Sequence, residues 1–317
     1  MVEGKNQWKA WLYLLPAIVL LLIFTVWPII NTLRMAFLED YSNAKEIAGI
    51  KFSVGFGNFE QVVKYKNFTT CLKNTLLLCV LTVPVSTMLA LIIAVCLNSI
   101  KFLQRPLQTI FFLPYVTNTI AIGLVFAAMF NIVGSFLGTE NEIVETAGVI
   151  NSIIEFFGGQ KVNWINTGSS YWANIFVLVV YIVWNALPFK ILVLLGGLQS
   201  VNKQYYEAAK VDGTSDLKYL WKVMIPLALP TLISITILKM MGAWNSYVWP
   251  NLVANDDAHK LITVGLRKAR FGSSVEGYTN YPAQMAAVTL VSIPLFLVFI
   301  FLRKYIMKGV SRSGIKG

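Results

Sequence analysis

The residues able to do chemistry are few, and their types exclude most of it. The chain has one histidine, His259, and three cysteines, Cys71, Cys79 and Cys96. The cysteine spacing fits neither a metal site nor a disulfide framework, so they read as small buried apolar residues. With one histidine, in a polar loop, neither a zinc site nor a His-based triad can be assembled, and no catalytic residue is assigned. No Gly-x-x-x-x-Gly-Lys-Ser/Thr loop is present to cradle a nucleotide phosphate. What remains is binding chemistry. Lys239 falls near the middle of an apolar stretch, where a charge costs roughly 2.5–3.5 kcal/mol, so it is expected to face the protein interior or a water-filled cavity. Thr236, Lys239, Ala243 and Ser246 recur at helical spacing and would form a small, polar stripe. Nearby, Trp244, Asn245, Trp249 and Asn251 combine ring faces with amide forks. Saccharide recognition uses both, the ring for the apolar side of a pyranose and the amide for adjacent hydroxyls. Tyr115 and Asn118, and Trp184 and Asn185, offer the same pairing, although each of these residues taken singly reads better as helix-interface packing or interfacial belt. Lys190 lies toward one end of its stretch and is expected to snorkel.

These residues must be positioned by helices in a bilayer. Of 317 residues, 56% are hydrophobic and 13% charged, about half the charged share of a soluble domain. Six stretches are long enough to cross roughly 30 Å of hydrocarbon: about 12–33, 74–98, 108–132, 172–197, 224–248 and 283–302. The first is too long for a signal peptide's core and reads as a retained span. The expected fold class is all-α, a polytopic membrane protein with six transmembrane helices forming a single domain over 1–317. Lysine and arginine are about twice as dense in 1–11, 99–107, 198–223 and 303–317 as in the opposite loops, which predicts both termini in the cytoplasm. The net charge of +11 therefore reads as topology, and nucleic acid is not an expected partner. Pro84, Pro114 and Pro188 lie well inside spans, where each removes a backbone hydrogen bond and is expected to kink its helix. Residues 147–158 suggest a short helix on the outer surface.

The loop at 201–226 is the most informative stretch. Residues 201–211 favour a short helix that Asp212-Gly213 would end, because glycine readily takes the left-handed cap conformation. Thr214 or Ser215 could then cap a second helix running into the fifth span. The same stretch, Glu207-Ala208-Ala209, three residues, Gly213, nine residues, then Val223-x-Ile225-Pro226, resembles the signature loop of ABC importer permeases. The similarity is greatest to the carbohydrate-uptake branch, the maltose and glycerol-phosphate type permeases. Leu14-Leu15-Pro16, Trp27-Pro28, Gly57-Asn58-Phe59, Arg105-Pro106 and Phe111-Phe112-Leu113-Pro114 resemble one partner of such pairs. Trp244-Asn245-Ser246-Tyr247-Val248-Trp249-Pro250 and the tail ending Gly314-Ile315-Lys316-Gly317 resemble the other, which leaves the half of the pair open.

The resemblance implies the type I ABC importer transmembrane domain in a bacterial plasma membrane, importing a sugar or oligosaccharide. It implies four kinds of surroundings: a membrane, a second permease subunit, two ATP-binding-cassette ATPases and an extracytoplasmic solute-binding protein. ATP and Mg would be held by the ATPases and no cofactor by this chain. Glu207, Ala208, Ala209, Asp212 and Gly213 would couple the ATPases to the spans, and Gly314, Lys316 and Gly317 would contact them. Lys239, Trp244, Asn245, Tyr115, Asn118 and Asn185 are the candidates for the substrate pathway. The alternatives are an ABC permease for a non-sugar solute, or an ion-coupled carrier. The latter needs intramembrane carboxylates, and all fifteen acids fall outside the six stretches.

Overall fold

A computed structural model of the chain describes residues 7–41, 43–100, 104–136, 143–199, 203–269 and 280–314. Backbone contacts divide the chain into two units, Met1–Phe68 with Leu266–Pro294, and Thr69–Gly265 with Leu295–Gly317.

The first unit starts with α1 (Gln7–Leu21), a π-helical turn (Leu22–Val26) and α2 (Trp27–Ala36), together one apolar rod. The π turn has a local cause. Pro28 has no N–H to give the helical ladder, and just before it Trp27 N–H reaches back five residues to Leu22 O. No side chain from Trp8 to Met35 is buried, as suits a helix apolar on all sides that meets lipid or another chain. Two short helices follow, α3 (Asn43–Ile47) and α4 (Gly57–Lys64). Asn58 ties α4 to the end of α2, its Nδ2 donating to Ala36 O at 3.1 Å and Leu38 O at 2.8 Å.

The second unit opens with α5 (Phe68–Ser99), α6 (Gln104–Val116) and α7 (Thr119–Phe130). An antiparallel ribbon of β1 (Ile132–Phe136) and β2 (Ile143–Ala147) pairs Ile132 with Ala147 and Phe136 with Ile143. Then come α8 (Val149–Phe156), α9 (Tyr171–Gln199), α10 (Lys203–Val211) and α11 (Asp216–Tyr219). A second π-helical turn (Leu220–Met224) leads into α12 (Ile225–Trp244), and it too sits just before a proline, Pro226. The chain continues with α13 (Val248–Val253), α14 (Ile262–Lys268) and α15 (Tyr281–Gly314), the last two running over the boundary between the units.

The fold is helical as expected, with the β1–β2 ribbon the exception among the described residues. Its β-branched Ile132, Val133, Ile143, Val144 and Thr146 favour extended backbone. Among the described residues five helices are long and apolar enough to span a bilayer, or six if the bent pair α6–α7 counts as one span. That pair sharpens the kinked single span expected over 108–132 into two separate helices. The chain turns by 94° between Val116 and Thr119, because Pro114 weakens the ladder and Asn118 starts a new helix. The Asn118 side chain accepts from Ile120 N at 2.9 Å and Ala121 N at 3.4 Å, an N-cap. The surface helix expected near 147–158 is α8.

The core of this unit lies around α9, half of whose apolar window is buried, compared with none in the first rod. Ile191, Leu194, Leu195 and Leu198 make one stripe at 3–4-residue spacing and meet Ala90, Ala94 and Leu97 of α5 and Ala228, Leu232 and Ile235 of α12. At the other end of α9, Tyr181 stacks on Trp249 with centroids 4.3 Å apart. Buried amides fix the loops there. Asn74 Nδ2 donates to Ala258 O and Lys260 O, and Asn174 Nδ2 donates to Val253 O at 2.8 Å. Cys71 and Cys79 are buried as expected, whereas Cys96 is exposed, on the outer side of α5.

Candidate functional site

The loop between α9 and α12 folds as a helix, a tight turn and a second helix. α10 ends where Gly213 takes φ +67°, the left-handed region. The turn is closed by Thr214 N–H donating to Ala209 O at 2.9 Å, the six-to-one bond of a Schellman cap. Asp212 N–H donates to Ala208 O at 3.0 Å. Ser215 occupies the N-cap of α11, its carbonyl accepting from Tyr219 N–H. Glu207, Ala208, Asp212 and Gly213 are exposed and Ala209 is half-buried. Tyr219 is buried at the base of the turn, and α11 runs through the π turn directly into α12. Residues 201 and 202 lie outside the described residues.

Further along α12 lies Lys239, half-buried. Its ammonium sits over two rings, 4.6 Å from the Phe189 centroid and 5.7 Å from that of Tyr115. The rings stack on each other at 5.8 Å and 25°. Among the described residues Lys239 Nζ has no hydrogen-bond acceptor and no carboxylate partner. Lys239 and Tyr115 are thus brought together, with Phe189 as a third member that sequence reading missed.

The other candidates are differently placed. Trp244 is buried at the end of α12, and Asn245 beyond it is exposed as the helix C-cap. Asn185 is half-buried in α9. Asn118 Oδ1 is occupied in capping α7, which leaves its amide NH2 as the available donor. Trp184 packs against Phe126 at 4.9 Å, within the aromatic core. Gly314 is the last described residue of α15, and Lys316 and Gly317 lie beyond the described residues.

Lys190 does not snorkel. It is 0% exposed. Its Nζ donates to Val83 O at 3.1 Å, Ser86 Oγ at 2.7 Å and Thr87 Oγ1 at 2.7 Å, one acceptor for each proton. The hydroxyls are free to accept because each spends its own proton on the α5 backbone. Ser86 donates to Thr82 O and Thr87 to Val83 O. Nothing in the neighbourhood of Lys190 in sequence signals this. The Ser86-Thr87 pair just after Pro84 marks a polar patch in its span, but nothing in the sequence ties that patch to Lys190.

Residues 86–312 match the profile of a family described as the binding-protein-dependent transport system inner membrane component. The chain belongs to that family. It is 30% identical to the lactose transport system permease protein LacF of Rhizobium radiobacter, over 74% of this chain and 72% of that one. A probable ABC transporter permease protein of Mycoplasma genitalium is 26% identical over 92% of this chain and 82% of its own length. The fold is shared with a chain of a bacterial alginate ABC transporter crystallised with an alginate pentasaccharide-bound periplasmic protein. The TM-score is 0.73, at 20% identity, covering 94% of this chain and 93% of that chain. The fold is the type I ABC importer transmembrane domain, and the chain is a multi-pass permease component of the inner membrane.

Proposed function

We propose that this permease imports a sugar or oligosaccharide and is driven by ATP hydrolysed on separate subunits. The working assembly would comprise this chain, a second permease, two ATP-binding-cassette ATPases and an extracytoplasmic binding protein that delivers the cargo. ATP and Mg²⁺ belong to the ATPases, and this chain contributes the path and the coupling. The saccharide assignment is supported by the lactose permease relative and by the ring faces around Tyr115 and Phe189, which suit a pyranose. Both termini and the α10–α11 turn are assigned to the cytoplasm on the density of basic residues in 198–223 and 303–317.

The observation that carries the coupling role is the continuity from an exposed, rigidly capped α10 through α11 into α12. A cap built on a left-handed glycine fixes the angle between two helices with no long side chain in the turn. An ATPase surface engaging Glu207, Ala208 and Asp212 would push on α10, and the cap would pass the displacement to the helix that carries Lys239. The tail beyond Gly314, with Lys316 and Gly317, is assigned to the same ATPase contact.

Gly213→Pro tests this reading. Proline holds φ near −65° and cannot reproduce +67°, so the cap is lost while the spans keep their apolar faces. The expected result is normal insertion and assembly, retained basal ATP hydrolysis, and uptake in proteoliposomes reduced at least about tenfold. Uptake at the wild-type rate removes the coupling role from the turn. ATP-independent solute uptake by the purified chain alone would remove the importer assignment as a whole.

A further inference from the structure

Among the described residues Lys239 is held in place without an oxygen acceptor. Two ring faces attract its charge, yet a π face offers no lone pair to an N–H. The chain's other intramembrane lysine, Lys190, has three oxygen acceptors. No acid occurs in any of the apolar stretches, so no internal carboxylate competes for Lys239. Tyr115 is 49% exposed, which leaves the ring platform open on one side.

We propose that Lys239, Tyr115 and Phe189 form a site for an anionic group on the transported saccharide, a carboxylate or a phosphate. This rests on the saccharide reading above. The rings take the apolar face of a sugar ring, and the ammonium donates charge-assisted hydrogen bonds to the anionic oxygens, which are roughly twice as strong as neutral ones. A neutral sugar reaching the same place leaves an ammonium without a counter-charge in a low-dielectric path. The site therefore selects by charge, with an expected preference of about tenfold or more, as one hydrogen bond to a charged group provides. It lies on α12, the helix continuous with the coupling turn, so a displacement of that helix changes the lysine's distance from the rings.

The experiment uses the complete transporter, with its second permease, ATPases and binding protein, in proteoliposomes. Acidic saccharides are compared with neutral counterparts: galacturonate oligomers against their methyl esters, and hexose phosphates against free hexoses. The first pair reports a carboxylate and the second a phosphate. Wild type is expected to carry the acidic member of one pair at least about tenfold faster. Lys239→Met should abolish that ratio, and Lys239→Arg should keep it. The binding protein is the same in all three, so a changed ratio belongs to the permease. Faster uptake of the neutral members, or equal loss of both in Lys239→Met, overturns the site and leaves the saccharide reading standing. If Lys239→Met does not assemble, Lys239→Gln is read in its place, with the same expected loss of the acidic-to-neutral ratio. No uptake from either pair, with Lys239-dependent uptake of a non-saccharide anion such as glutamate, overturns the saccharide reading and keeps the anion site. Uptake of none of these probes overturns both.

Discussion

Lys190 and Lys239 are both lysines in apolar helices of the same unit, and their surroundings treat them in opposite ways. Lys190 is wholly buried and meets one oxygen with each of its three protons, two of them hydroxyls just beyond a proline on the facing helix. Lys239 is half-buried and meets two aromatic faces. The first arrangement is closed and the second is open. A buried ion whose donors are all used is a structural strut, because a ligand has nothing to offer it. An ion attracted by rings but left with unused donors retains binding capacity, and rings confine it without consuming those donors. Position along the helix axis does not make this distinction. The chemistry of the neighbours does.

The largest expected effect comes from opening the closed site. Ser86→Ala with Thr87→Val leaves Lys190 with the Val83 carbonyl alone. Breaking a buried charged network from one side costs about 3–5 kcal/mol, since the ion stays and its partners go. The double variant should melt far below wild type or fail to accumulate in the membrane. Lys190→Met removes the ion together with its desolvation cost, and the two hydroxyls go on donating to α5 backbone carbonyls. It should therefore be the milder change, read from thermal unfolding of the detergent-extracted assembly. A result in which Lys190→Met is the more damaging variant contradicts the strut.

Next in size is Lys239→Met, and here the sign should reverse. Removing an ammonium that has no oxygen partner relieves a desolvation cost, while the cation–π attraction lost is worth about 0.5–2 kcal/mol. The melting temperature should stay within a few degrees of wild type or rise. A fall as large as that of the Ser86/Thr87 double variant would mean that Lys239 is as structural as Lys190, and the comparison would collapse.

How much of this was legible in the sequence follows from the range of the forces involved. Gly213 was readable because a left-handed glycine after a short helix is fixed by a few neighbouring residues, and the structure has the cap where the spacing puts it. Lys239 was readable as inward-facing because the cost of a charge in hydrocarbon does not depend on which helix is next to it. The partners of Lys190 were not readable, since Ser86 and Thr87 lie 104 and 103 residues away and only packing of α5 on α9 brings them there. Asn118 has a second use, which the sequence reading left out for a different reason. An asparagine in an apolar run has two uses, ligand fork and helix cap, and the 94° turn that decides for the cap needed Pro114 and Asn118 to be read together. The β1–β2 ribbon was missed because its β-branched runs are short and lie among polar residues.

The smallest effect extends the same rule outside the spans, to His259. This side chain is buried against Tyr171, and its Nδ1 has no hydrogen-bond partner, with the nearest Asp256 oxygen 3.9 Å away. Burial pushes its pKa below the ordinary 6.5, against the weaker opposing pull of Asp256. The unfolded chain then binds this proton at a higher pH than the folded one. Stability from the neutral imidazole is complete above about pH 6.5 and falls as pH drops from there through the folded value. Wild type should lose melting temperature between pH 7.5 and 5.5, and His259→Gln, which cannot titrate, should lose less over that interval. An equal loss in both would assign the acid sensitivity to other groups. A larger loss in His259→Gln would mean that the protonated imidazole is stabilised in the fold, so that a buried cation-forming group with no hydrogen-bond acceptor need not resist charging. That outcome would also weaken the inference that the unused donors of Lys239 await an anion.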